Sequence, residues 1–269
     1  MSTVPSKNQS HVSVRSIFHN QGNFQKITEF DVNDAPTSLL PIIAFCHLQW
    51  DWVWQRPQQF LSRLAQRRPV LFVETHRSDT RHAFAKVREC ASARHVTIME
   101  IHLPENQWHD GDFIDRERCR VMQESLKTDE LKIFAGGVLW FNDPMAVIAY
   151  AGHLDEALIV YDCMDELTQF QGAPPALVER ERTLTRKADL IFCGGRKMRE
   201  KRIPLNANTH FFGTGVDCPH FGAALSEETT VDADIAALPG PVLGYFGVID
   251  ERLDYALIAA LADAFPQGS

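Results

Sequence analysis

No CxxC pair occurs anywhere in the chain, and its six cysteines stand apart at positions 46, 90, 119, 163, 193 and 218. At this chain length, such spacing argues against the disulfide framework of a small secreted domain and against a thiolate metal cluster. No run of eighteen apolar residues is present, so no helical span of a membrane is expected. The opening residues, MSTVPSKNQSHVSVRS, lack the apolar centre of a signal peptide. Positive charge is also in short supply: 27 Lys and Arg face 35 Asp and Glu, for a formal net charge of -8. That balance argues against a nucleic-acid partner, which selects for a basic face. No internal repeat or low-complexity tract is visible. A reducing cytosol is the expected location, and peripheral contact with the inner face of the plasma membrane stays open.

What is there is an ordinary globular composition, 45% hydrophobic and 23% charged. Residues 1–38 are rich in Ser, Asn, Gln and Thr and read as a flexible leader, with one short strand expected around Ile27–Phe30. From residue 39 short apolar runs alternate with longer segments of helical character. The runs are Pro41–Cys46, Val70–Val73, Val96–Ile101, Val138–Phe141, Leu158–Tyr161, Leu190–Cys193 and His210–Phe212. They are apolar on both faces, as parallel strands covered by helices require. Helices are expected after Pro57 and over Arg116–Leu126, Asp143–Tyr150, Pro175–Lys187 and Arg196–Arg202. This alternation predicts an α/β fold, a Rossmann-like doubly wound, mostly parallel sheet, over 39–221. The acidic, Pro- and Gly-bracketed stretch 222–241 reads as an interdomain linker with a short helix at 232–238. A strand at Val242–Phe246 and a helix from Leu253 to Phe265 then read as the first βα unit of a second domain, 242–269.

Two segments concentrate polar chemistry at expected strand ends, where open α/β sheets bind ligands. The first is HLQWDWVWQRPQQ, residues 47–59, which holds three of the five tryptophans. His47, Asp51 and Arg56 are candidate site residues, with His47 or Asp51 the catalytic candidates, because polar groups there need a reason to be present. Trp52 and Trp54 could stack on sugar rings, or could equally anchor the loop in the core. The second is YDCMDEL, where Asp162, Asp165 and Glu166 follow a strand. These carboxylates could hold a general base, bind acceptor hydroxyls, or pair with Arg56; alternatively Asp162 caps a turn and Glu166 faces solvent.

The remaining motifs are weaker. Glu179–Lys187 reads as a solvated helix face with i,i+4 pairs. Gly194 and Gly195 would let a ligand approach the backbone at a helix start. Asp110-Gly-Asp112 has the DxD form but reads as a polar loop, and no His/Cys/Asp spacing suits a metal. A dinucleotide-binding GxGxxG is missing after the first strand, which counts against a nucleotide-sugar epimerase or mutase. A non-catalytic sugar- or partner-binding module using the Trp-rich loop is the other alternative.

Taken in order, HLQWDWVWQRPQQFLSRLA, VLFVE, LWFNDP, VYDCMDEL, GAPP, ERERTLTRKADLIFCGGRKM, GTGVDCPHF and LGYFGVIDERLD closely resemble the group 1 (family 4-like) glycosyltransferases of bacterial polysaccharide and teichuronic acid synthesis, over about 41–266. The resemblance implies a GT-B fold, two facing Rossmann-like domains, and hexosyl transfer (EC 2.4) from a nucleotide-sugar donor to a glycan or lipid-linked acceptor, with no metal and no cofactor. It implies that His47, Trp50, Asp51, Trp52, Arg56 and Gln58 line the acceptor side, with Asp162, Asp165 and Glu166 beside them. Gly194, Gly195, Gly215, Asp217, Gly247 and Asp250 would fall on the donor side or hinge. The Glu-rich donor motif of that family would lie past Ser269, so the sequence reads as a fragment whose own activity is open. Locally, Gln59 stands where the family pattern has His.

Overall fold

The computed structural model describes residues 39–269. The leader and the strand expected near Ile27 lie outside the described residues. The chain divides into two compact units, one ending at Phe212 and the other running Gly213–Ser269.

The first unit is built on one eight-stranded sheet in the order β3-β4-β2-β1-β5-β6-β7-β8. The strands are β1 Ile42–Phe45, β2 Val70–Ser78, β3 Phe84–Glu89, β4 Val96–Pro104, β5 Val138–Phe141, β6 Leu158–Cys163, β7 Leu190–Cys193 and β8 Thr209–Phe211. All neighbours pair in parallel except β3, which runs antiparallel along β4 at one edge. The expected strands are therefore present, several of them one to five residues longer or shorter than the apolar runs. Residues 84–89 had suggested no element, because FAKVRE alternates charge with small apolar groups. Its charges now face solvent along an edge, where they oppose pairing with another chain.

Helices α1 Arg56–Leu64, α2 Gly111–Ser125, α3 Val147–Tyr150, α4 Leu177–Lys187 and α5 Arg196–Arg202 connect the strands. The expected helix over Asp143–Tyr150 is instead a 3-10 turn at Pro144–Ala146 followed by the single-turn α3. Successive strand side chains feed two cores, as the twofold period of a strand requires. Ile42, Ala44, Val70 and Phe72 pack with Leu61 of α1 and with Trp50. Ile43, Phe45, Leu71 and Val73 pack on the opposite face with residues of α2, α3 and α4. Phe45 stacks on Tyr150 with ring centroids 4.1 Å apart, which fixes α3 against the centre of the sheet. With helices on both faces, the sheet is the doubly wound, mostly parallel one expected from the sequence.

Chain order runs outward from β1 through β2 to β4, then returns to the other side of β1 to continue through β5. The strand order thus reverses between β1 and β5. Their C-terminal ends are tied once, where Asn142 and Asp143 N–H groups both donate to the Phe45 carbonyl. Beyond that tie the two loops diverge and leave a crevice.

The second unit contains α6 Cys218–Gly222, α7 Ala233–Ala236 and α8 Tyr255–Ala264, each of the three capped by an aspartate, Asp217, Asp232 and Asp254. No residue in it is buried. The strand expected at Val242–Phe246 is not formed. A lone extended segment has no ladder to join, and within the unit Leu243 N–H reaches only the carbonyl of Ser269.

Candidate functional site at the strand-order switch

A cavity of about 420 Å³ lies in that crevice. Small-ligand sites commonly fall between about 300 and 1,000 Å³. Cys46, His47 and Gln49 enter it from the end of β1, Glu74 from β2, and Asp143 and Met145 from the loop after β5. The far wall is α2, whose Gly111, Ile114, Asp115 and Arg118 recur at the spacing of one helix face. Asp110 accepts from the Phe113 N–H at 2.9 Å and so starts that helix at the cavity edge. The residues read as a DxD loop in the sequence are thus a helix cap and the first turn behind it. Trp108 and His109 complete the rim.

Arg180 of α4 holds this wall in place. Its two terminal nitrogens meet the two Asp115 carboxylate oxygens at 2.9 and 2.6 Å, and one also donates to the Met145 carbonyl at 2.7 Å. Fork-to-fork pairing fixes direction as well as distance. One arginine therefore ties α4, α2 and the loop after β5 together. The sequence reading had placed Arg180 on a solvated helix face; the helix turns it inward instead. Burial pushes the Cys46 thiol up to about 12, so it lines the cavity as a neutral group and not as a nucleophile.

Of the acceptor-side residues expected from the sequence, only His47 reaches this cavity. Trp50 is fully enclosed: its ring meets Phe72 edge-on at 5.1 Å, and its indole N–H donates to Ser92 Oγ at 3.0 Å. An enclosed ring offers no face to a sugar, so Trp50 anchors the loop. Gln58 is enclosed as well, donating to the Gln49 and Trp50 carbonyls and accepting from the Gln55 N–H. Asp51 points to solvent and pairs with Arg88 of β3 at 2.7 Å. Trp52 is 62% exposed. Gln59 accepts from Arg63 one helical turn on.

Arg56 and Asp162 meet each other. Arg56 Nε and one terminal nitrogen donate to the Asp162 carboxylate at 3.0 and 2.7 Å, while the other donates to the Phe212 carbonyl at 3.0 Å. Asn142 adds a further donor to the same carboxylate at 3.2 Å. Burial pushes the Asp162 carboxyl up, against the pull of Arg56 and Asn142. Both side chains are committed to each other, which is the pairing option among those the acidic turn left open. Asp165 is exposed. Glu166 accepts from Arg202 at 2.7 Å and from Lys201 at 3.3 Å. Arg202 is itself buried and also donates to Glu181, at 2.5 Å. Asp162 and Glu166 therefore pair off within the fold, Asp165 is exposed, and none of the three lines the cavity.

Burial alone would raise the Glu166 carboxyl, but Arg202 and Lys201 outweigh it and hold the group below the usual carboxylate range. A depressed folded-state pKa stabilises above the unfolded value and loses that contribution as pH falls through the folded one. Glu166→Gln is therefore expected to flatten the loss of stability below about pH 4.5. Thermal midpoints of both proteins across the acid range check this, and parallel curves would contradict it.

The glycines after β7 have a packing reason. A Cβ on Gly194 would fall 2.9 Å from the Met164 carbonyl oxygen. Gly195 precedes α5. In the second unit Gly215 lies in open space and Asp217 accepts from the His220 N–H. Gly247 takes a positive φ, and Asp250 pairs with Arg252 at 2.6 Å.

Sequence reasoning missed Glu74, Trp108, His109, Asp115, Arg118, Asp143 and Arg180. Asp143 carried a signal, since FNDP follows a strand; the α2 face did not, because its polar residues are far in sequence from any strand end.

No family model matches the chain, and no curated protein does. Solved structures do match: a trehalose-6-phosphate protein from E. coli bound with UDP-2-fluoro glucose, at TM-score 0.43 and 10% identity over 73% of this chain and 53% of that one. An α,α-trehalose-phosphate synthase (UDP-forming) from Burkholderia xenovorans in complex with glucose-6-phosphate matches at TM-score 0.45 and 13% identity, over 70% and 53%. The Burkholderia multivorans α,α-trehalose 6-phosphate synthase matches at TM-score 0.40 and 11% identity, over 63% and 42%. The chain spans about half the length of these proteins. Likeness at this level adds nothing to the geometry above.

Proposed function

We propose that this chain is the acceptor-side part of a GT-B type glycosyltransferase, passing a hexosyl group from a nucleotide-sugar to a hydroxyl of a glycan or lipid-linked acceptor in bacterial cell-envelope polysaccharide synthesis. The observation that carries the proposal is the cavity at the β1/β5 reversal, whose rim places one tryptophan, Trp108, among many hydrogen-bonding groups. A sugar ring needs that combination: an apolar C–H face to stack and hydroxyls to be met all round. In this reading residues 39–221 form the acceptor half, 222–241 the linker and 242–269 the opening of the donor half. The nucleotide-sugar and the acceptor are substrates, and neither cofactor nor metal is called for. The protein works in the cytoplasm, and Gly194, Gly195, Gly215, Asp217, Gly247 and Asp250 are the donor-side and hinge candidates.

His47 is the catalytic candidate that the cavity favours over Asp51. It stands two residues past β1, lines the cavity and is exposed, so its imidazole can take the proton from an incoming hydroxyl. Asp51 is held by Arg88 away from that space.

Acceptor binding tests the reading without requiring turnover. A panel of hexoses and hexose phosphates titrated into the protein, followed by saturation-transfer NMR, is expected to find a binder. His47→Ala and Trp108→Ala should each weaken it about tenfold. Sugar binding insensitive to both substitutions, or no binder at all, would sink the proposal.

A further inference from the structure

The loop between β1 and α1 carries a second feature that the cavity does not use. Trp52, Val53 and Trp54 are consecutive and exposed by 62, 53 and 42%. Single exposed apolar residues are ordinary, but three in a row on one loop are not. The loop is not loose. Trp50 is bolted beneath it, Gln58 holds two of its carbonyls, and Trp54 packs edge-on against Trp50 at 6.0 Å.

Trp54 also forms one side of a groove of about 550 Å³ lined by Arg63, Gln66, Ser92, Arg94 and His95. Among the described residues no carboxylate lines it, in a chain whose acidic residues outnumber its basic ones by 35 to 27. Arg94 and His95 make no side-chain ion pair among the described residues, and Arg67 lies exposed nearby in sequence past the end of α1. The turn that presents Arg94 is fixed. Val96 N–H closes on the Ala93 carbonyl at 3.3 Å, and the His95 carbonyl accepts from Val70 at 3.0 Å. His95 itself holds a left-handed backbone, φ 63°, which sets the direction of the turn.

We propose that this loop and groove dock on an anionic lipid surface, the indoles entering the headgroup layer and Arg94, with His95, meeting the lipid phosphates. Indole suits that layer because its body is apolar and its N–H is polar. A soluble anion would explain the groove but not Trp52 and Val53, and an apolar protein partner would explain those two but not the Arg94 and His95 charge beside them. No helix among the described residues is long and apolar enough to cross a membrane, so contact of this kind would be peripheral. The inference does not depend on sugar transfer.

The test is sedimentation of the full chain with phosphatidylcholine vesicles, with and without phosphatidylglycerol, alongside tryptophan emission. The protein is expected to sediment with the anionic vesicles only and its emission to shift to the blue. Removing one basic contact to such a surface lowers partitioning about fivefold, so Arg94→Glu should lower it by more. Trp52→Ser should reduce both sedimentation and the blue shift; its ring is exposed, so folding is not at issue. Both losses are required. No sedimentation, equal sedimentation with neutral vesicles, or indifference to either substitution overturns the proposal.

Discussion

Asp162→Asn is expected to lower the thermal midpoint of the first unit by about 10 °C. The carboxylate and its partner Arg56 are both buried, and the pair is joined by Nε and a terminal nitrogen at 3.0 and 2.7 Å. Removing one member of a buried pair leaves the other charge without compensation, at a cost of about 3–5 kcal/mol. A domain of this size loses about 2–4 °C per kcal/mol. The substitution also frees Asn142 and loosens the link from α1 to the Phe212 carbonyl, because the same guanidinium makes both bonds. Arg56→Met should cost a similar amount. The double variant Arg56→Met with Asp162→Leu should cost much less than the two singles together, since it leaves no buried charge. Thermal unfolding followed by circular dichroism closes that cycle. Single-variant losses under about 1 kcal/mol, the range of exposed pairs, would show that the pair is solvated in solution.

That pair also shows where the sequence was informative. Seven apolar runs announced seven of the eight strands, because a parallel strand covered on both faces has to be apolar throughout. The eighth, Phe84–Glu89, is an edge strand exposed on one face, and its charges hid it. The two polar segments do lie at the C-terminal ends of β1 and β6, yet most of their side chains turn to the protein. Arg56, Asp162, Gln58 and Glu166 all find partners in the fold. A polar residue at a strand end can serve a ligand or satisfy the loop's own backbone, and sequence alone does not separate these uses. The cavity wall was illegible for another reason. Asp115 and Arg180 are 65 residues apart and meet only because α2 and α4 pack on the same sheet face. Val242–Phe246 failed in the opposite sense: its local pattern is that of a strand, but a strand needs a neighbour.

The tryptophans of the loop give the sharpest division between anchoring and contact. Trp50→Ala is expected to destabilise by about 3–5 kcal/mol, the usual cost of emptying a large aromatic from a core. Its ring is enclosed by Phe72 and Leu61's side of the sheet, and its indole N–H donates to Ser92 Oγ, tying the loop to the turn that holds Ser92. Losing it removes support from the loop at 46–55 and from the turn at 90–95 together, so proteolysis should cut both segments early. Trp50→Phe keeps most of the apolar area and gives up the indole N–H bond, and should cost about 1 kcal/mol. Trp52→Ala, by contrast, should leave the midpoint unchanged within about 0.5 kcal/mol, the range of surface substitutions. Chemical denaturation of the three variants separates the cases. Equal losses at Trp50 and Trp52 would mean that the loop packs otherwise than described, and with it would go the orientation that presents Trp52 and Trp54 to a lipid surface.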